Sequence, residues 1–208
     1  MELNEKQKQE FHQIRLNKEF INQLPLRSYE GSIVIVDSDE KVPGAIATLE
    51  QERVLGFDTE SRPTFKKGQS FPPSLLQLGS SEAVYLFQLN KLNNCQPIQR
   101  LLGRSDTSKV GIAVHDDIRK LQELMEFEAL SFIDLSKFTR QRGIVNTGLR
   151  NLVALFLGFR ISKAAQVTNW SHSQLTESQI KYAATDAWVS LLLYRHLEEL
   201  GWILSCND

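Results

Sequence analysis

Cysteine is nearly missing from these 208 residues: Cys95 and Cys206 are the only two. They lie far apart and lack paired spacing, which argues against a zinc site or a disulfide framework and suits a reducing cytoplasm. An excess of charge is missing too. Lys and Arg number 24 against 25 Asp and Glu, a net charge of −1. The whole chain therefore carries no global sign of nucleic-acid binding, although a local basic patch around an acidic site stays open. No apolar run approaches the length of a membrane span. Residues 1–22 are polar and charged and lack the apolar core of a signal peptide. Internal repeats and low-complexity stretches are absent. What is left is an ordinary soluble composition, 41% apolar and 24% charged, long enough for one sizeable domain.

Hydrophobic spacing and turn residues lay out the expected elements. Residues 4–22 read as a polar helix with Phe11, Ile14, Phe20 and Ile21 as weak anchors, broken at Leu24-Pro25. Residues 1–24 are thus expected as a helical extension and 25–208 as a single domain. A β-branched run over 31–37 predicts a strand, and Pro43 near a first turn predicts a helix over 43–52. Residues 53–59 form the central strand. A turn-rich loop over 61–74 leads into strands at 75–78 and 84–89 that read as an antiparallel hairpin. Helices are expected near 94–103 and 116–127, with short strands at 109–113 and 132–135. Thr147 is the expected N-cap of a helix whose Leu149, Leu152, Val153 and Phe156 repeat at i, i+3, i+4 and i+7, ended by Gly158. The last long helix starts near Thr176. An antiparallel block followed by alternating helices and strands predicts an α/β fold, a mixed β-sheet flanked by helices.

Three stretches place acids where a fold must account for them. Arg-Val-Leu-Gly-Phe-Asp-Thr-Glu over 53–60 is an apolar run ending in Asp58 and Glu60, which share one face of a strand. Two carboxylates at the end of a largely buried strand repel each other and are costly to desolvate. Either the strand runs out into solvent or a hard divalent cation sits between them. Further on, 111–121 passes from strand to helix at Asp116 and Asp117, where the helix dipole alone favours acids. Helical phase separates the two. At about 100° per residue, Asp117 falls in the sector of Ile118, Leu121, Leu124 and Met125. Asp116 falls opposite with Lys120 and Glu123, free to act as N-cap and to pair with Lys120. On the last helix Tyr182 and Asp186 stand at i and i+4, while Ala183, Ala184 and Ala187 allow close approach to the sheet. An inward Asp186 needs a partner, for which an ion pair with Lys181 or Arg150 is one solution.

Together, two acids on a strand, one at a helix start and one on a late helix with tyrosine four residues earlier resemble the three exonuclease motifs of the DEDD superfamily. The tyrosine places the resemblance in the branch that includes the ribonuclease D and Werner-type exonuclease families. It spans about residues 30–200. Gly-Phe-Asp-Thr-Glu at 56–60 resembles the first motif, 110–121 the second, and Tyr-Ala-Ala-Thr-Asp-Ala at 182–187 the third. Leu-Leu-Gln-Leu at 75–78, Phe-Ile-Asp-Leu at 132–135 and Asn169-Trp170 support it.

The resemblance implies a ribonuclease H-like fold and a 3′–5′ exonuclease that releases nucleoside 5′-monophosphates from the 3′ end of DNA or RNA. It also implies two divalent cations, Mg²⁺ or Mn²⁺, that clamp the attacking and leaving oxygens. On this pattern Asp58 bridges both ions, Glu60 and Asp186 complete the site that generates hydroxide, and Asp117 holds the second ion, partly through water. Tyr182 orients the attacking water, because a phenol of pKa about 10 is a poor base at neutral pH. Lys66, Lys67, Arg160 and Lys163 are candidate phosphate contacts. Neither the C-terminal helical domains of ribonuclease D nor the Werner-type helicase lies within these residues, so the chemistry carries over and the substrate preference does not. The alternative is a nucleic-acid-binding scaffold that kept the fold and lost turnover; the presence of four acids and the tyrosine argues against it.

Overall fold

A computed structural model of the chain describes residues 18–203 apart from Phe65 and Lys67. Its strands are β1 (Ser32–Val36), β2 (Val54–Ser61), β3 (Pro73–Gly79), β4 (Ala83–Gln88), β5 (Ser108–Gly111) and β6 (Phe132–Asp134). Its helices are α1 (Lys18–Gln23), α2 (Val42–Leu49), α3 (Gln96–Leu102), α4 (His115–Leu124), α5 (Leu135–Gln141), α6 (Leu149–Leu152) and α7 (Glu177–Glu199).

The expected central strand is central. β2 pairs antiparallel with β3 and parallel with β5, and the sheet runs β1-β4-β3-β2-β5-β6. β3 and β4 form the antiparallel hairpin, β1 joins β4 in parallel, and β6 joins β5 in parallel. This is the mixed sheet flanked by helices that the element order predicts. β3 and β4 are buried along their whole length. Both their faces are covered, which is why their sequences show apolar runs rather than alternation.

The two faces of the sheet are covered by different helices. On one, Leu55 and Phe57 of β2 pack with Leu76, Leu78, Ile46, Leu101 and Leu121, under α2, α3 and α4. On the other lies α7, whose Ala183, Ala184 and Ala187 are fully buried. Thr176 caps α7 in a reciprocal capping box: its hydroxyl accepts from Gln179 N–H and its own N–H donates to Gln179 Oε1. α6 runs on into a π-helical turn over Val153–Leu157, which stops at Gly158 with φ 71°, a left-handed conformation that glycine adopts freely.

Three local readings are corrected. Gly148, not Thr147, occupies the N-cap of α6; the Thr147 hydroxyl is taken by Arg140 Nη2 at 3.2 Å. α4 begins at His115 with Val114 in the cap position, so Asp116 caps nothing. Asp116 pairs with Arg119 at 3.5 Å rather than with Lys120. Of the expected helix over 4–22, residues 4–17, with Phe11 and Ile14, lie outside the described residues. Ile21 is buried and Phe20 exposed. The chain that follows α1 is tied to the domain by a parallel bridge from Leu26 to Arg160.

Candidate active site

The site begins with a missing side chain. A Cβ on Gly56 would fall on the backbone oxygen of Ala187, so α7 can lie this close to β2 only because position 56 is glycine. Two residues along the same face comes Asp58, then Glu60. One residue before Ala187 comes Asp186. Carboxylate oxygens of Asp58, Glu60 and Asp186 accordingly lie within 4.8 Å of one another.

Asp117 joins from α4. Its Oδ1 accepts a hydrogen bond from the Thr59 hydroxyl at 2.6 Å, so the residue between the two strand acids reaches the acid of the second motif. The start of α4 is set by Ala113, held at φ 55° with its N–H donating to Asp134 Oδ1 at 2.9 Å. A left-handed alanine carries strain. Asp134 Oδ1 is in turn fixed by Ser136, from its N–H at 3.0 Å and its hydroxyl at 2.6 Å. Tyr182 lies in α7 one turn before Asp186 and is held on both ends. Its ring packs against the buried Trp170, centroids 5.9 Å apart, and its hydroxyl bonds Asp186. Gln179 Nε2 anchors the loop before Trp170 through Thr168 Oγ1 and Asn169 O.

Asp58, Glu60 and Asp186 converge, and Asp117 lies outside that group of three but close enough for its charge to act on Asp58 and Glu60. Burial raises the Asp58 carboxyl well above the usual range, and the charges of Asp186, Glu60 and Asp117 add to it. Burial, then Asp186 and Asp117, push Glu60 up to about 9. Asp186 rises to about 7 through burial, against a hydrogen bond from Tyr182 that favours its charge. Asp117 rises through burial, opposed first by its Thr59 hydrogen bond and then by Lys120. Burial, then the Asp186 and Glu60 charges, raise the Tyr182 hydroxyl, so it stays protonated. No ion pair from Lys181 or Arg150 relieves Asp186 among the described residues. Clustered hard oxygen donors with no cationic partner suit a hard divalent cation, and these acids could hold one.

The acids open into a cavity of about 660 Å³. Asp58, Glu60, Tyr182 and Asp186 line it, as do Lys163, Arg150, which the sequence offered as an ion-pair partner of Asp186, and Lys18, which it did not single out. Arg160 is occupied elsewhere: its Nε donates to Leu24 O at 3.1 Å. Lys66 lines a separate cleft with Arg62, Phe71 and Asn169, and Lys67 lies outside the described residues. Sequence reasoning assigned no individual role to Thr59, nor to Asp134 and Gln77 within the supporting stretches 132–135 and 75–78. Gln77 is fully buried opposite Asp58 in the β2–β3 register, and neither atom of its amide has a partner among the described residues. A lone polar residue inside the apolar run of 75–78 was the available signal.

Comparison with known proteins places these features in a group. Residues 33–202 match a family model described as 3′–5′ exonuclease. The chain is 31% identical over 188 residues to the bifunctional 3′–5′ exonuclease/ATP-dependent helicase WRN of Mus musculus, covering 86% of this chain and 13% of that protein. It is 31% identical over 155 residues to ribonuclease D of Haemophilus influenzae, covering 72% of this chain and 37% of that one. Among solved structures, the Nibbler EXO domain of Aedes aegypti superposes with a TM-score of 0.76 at 26% identity, over 88% of this chain and 95% of that domain. The chain spans less than half the length of the curated relatives it matches. No described helix is long and apolar enough to cross a membrane.

Proposed function

The chain belongs to the 3′–5′ exonuclease family, and on that premise we propose that it hydrolyses nucleic acid from a free 3′ end and releases nucleoside 5′-monophosphates. Asp58, Glu60 and Asp186, with Asp117 beside them, are the residues that would hold two divalent cations, Mg²⁺ or Mn²⁺. The observation that carries this reading is the cluster itself. Three carboxylates from β2 and α7 converge within 4.8 Å at the head of a cavity, with no described cation between them. A merely structural cluster of this kind would be a cost to the fold with no return.

Bound divalent ions supply activation of water and neutralisation of charge on the phosphate. The chain's own residues do the rest. Tyr182, protonated, offers its hydroxyl to orient the attacking water, and its bond to Asp186 and packing on Trp170 fix where that hydroxyl points. Thr59 holds the Asp117 carboxylate toward the site. Lys163 on the cavity wall faces the substrate's phosphates.

The experiment is digestion of a 5′-labelled oligonucleotide with Mg²⁺ or Mn²⁺, with and without EDTA. A ladder that EDTA abolishes is the expected result. Binding with no ladder would make the chain a scaffold of the same fold. DNA and RNA, single-stranded and recessed-end, belong in the same panel, because discrimination rests on contacts to the 2′-OH.

A further inference from the structure

The helix α1 precedes the residues matched by the family model, yet it builds a wall of the active cavity through Lys18 and Ile21. It also touches that cavity's largest cation. Asn22 Oδ1 accepts from Arg150 Nη2 at 3.0 Å. Arg150 Nε is enclosed and has no acceptor among the described residues. Lys18, Arg150 and Lys163 all line the cavity, and no described carboxylate pairs with any of them. The charges that shift the acids are those of the acids themselves with Asp116 and Lys120, not of these three cations. The cavity therefore has an acidic end and a separate cationic side.

We propose that Arg150, with Lys18 and Lys163, forms a subsite for the phosphate adjoining the one being cut, and that Asn22 of α1 holds Arg150 in place for it. This rests on the nuclease reading of the acidic end. A half-buried guanidinium is costly to desolvate, and proteins usually pair it with a carboxylate. Here the partner is a neutral amide oxygen, which fixes the fork and leaves its whole charge available. A polynucleotide whose terminal linkage sits on the acids must carry its next phosphate past these cations. A phosphate there supplies the charge partner that no described carboxylate provides. The α1 segment then belongs to substrate binding rather than to packing alone.

The test is binding of a fluorescent single-stranded oligonucleotide of ten thymidines in Ca²⁺, titrated at several salt concentrations, with cleavage in Mg²⁺ measured separately. Arg150→Ala should weaken binding roughly tenfold and reduce the slope of log affinity against log salt by about 0.7, one phosphate contact on a single strand. Arg150→Lys should keep the slope, because it keeps the charge, and lose part of the affinity. Asn22→Asp should reproduce the slope loss by neutralising the guanidinium in place. A slope unmoved by Arg150→Ala overturns the subsite even if the chain cuts. A chain that binds with these slopes but never cuts overturns the nuclease reading and leaves the subsite standing. Equal weakening by the Ala and Lys variants with no change of slope would mark Arg150 as packing.

Discussion

The Thr59 hydroxyl donates to Asp117 Oδ1 at 2.6 Å, joining the strand that carries two of the acids to the helix that carries the third. A carboxylate held by one such bond points where the bond sends it. Thr59→Val keeps the shape and the buried methyl and removes only the donor. The expected outcome is a folded protein whose cleavage rate falls about 10–100-fold, or whose half-saturating metal concentration rises by that factor, the usual cost of losing an outer-sphere partner. Rates at several Mg²⁺ concentrations measure it, and an unchanged metal response would remove Thr59 from the site.

Asp116 and Asp117 are adjacent and should behave oppositely. The Asp116 side chain is 76% exposed and pairs only with Arg119, a surface contact worth little. Asp117 is half-buried and charged against the cluster. Asp117→Asn should cripple metal-dependent cleavage, and Asp116→Asn should leave rate and melting temperature close to those of the unaltered chain. The reverse pattern in a single-turnover assay would mean the helix presents the other acid.

Tyr182→Phe removes a hydroxyl and leaves the ring on Trp170. Metal binding, followed by calorimetry, should persist while the rate drops substantially, because orienting a nucleophile acts on the barrier and not on ligation. If turnover is unaffected, Tyr182 is a packing residue.

The acid cluster makes a prediction about stability. Glu60 titrates at about 9 and Asp186 at about 7, both above the unfolded range. Between the unfolded and folded values the native state binds more protons, so stability falls as pH rises through that window. In EDTA the melting temperature should therefore drop from pH 5 to pH 7.5, and divalent cations should flatten the drop. Lys109, lowered to about 8 by burial, works in the opposite direction only above that range. Asp58→Asn should abolish nearly all turnover and raise the metal-free melting temperature at pH 7.5. A flat profile in EDTA would mean the carboxylates do not repel.

What the sequence disclosed depended on how local each signal was. The spacing of Asp58 and Glu60 needs only a strand, and that of Tyr182 and Asp186 only a helix, so both pairs face as expected. The start of α4 was misplaced by one residue because a left-handed Ala113 held by Asp134 decides it, and that bond crosses between elements. Thr147 looked like a cap until Arg140 claimed its hydroxyl. Gln77 acquires meaning only from register and Thr59 only from meeting Asp117, while Arg150, expected beside Asp186, meets Asn22 instead. No local pattern marks such meetings.

The contact of Gly56 with Ala187 has a kinetic consequence. Its partners lie toward opposite ends of the chain, and the acids they position come together only when the last helix docks on a completed sheet. Contacts of such sequence separation form late, after the loop-closure entropy between them has been overcome. A chain in which that helix has not docked would hold Asp58, Glu60 and Asp117 without Asp186 and Tyr182. On the proposed reading, the centre would then form only together with the native state.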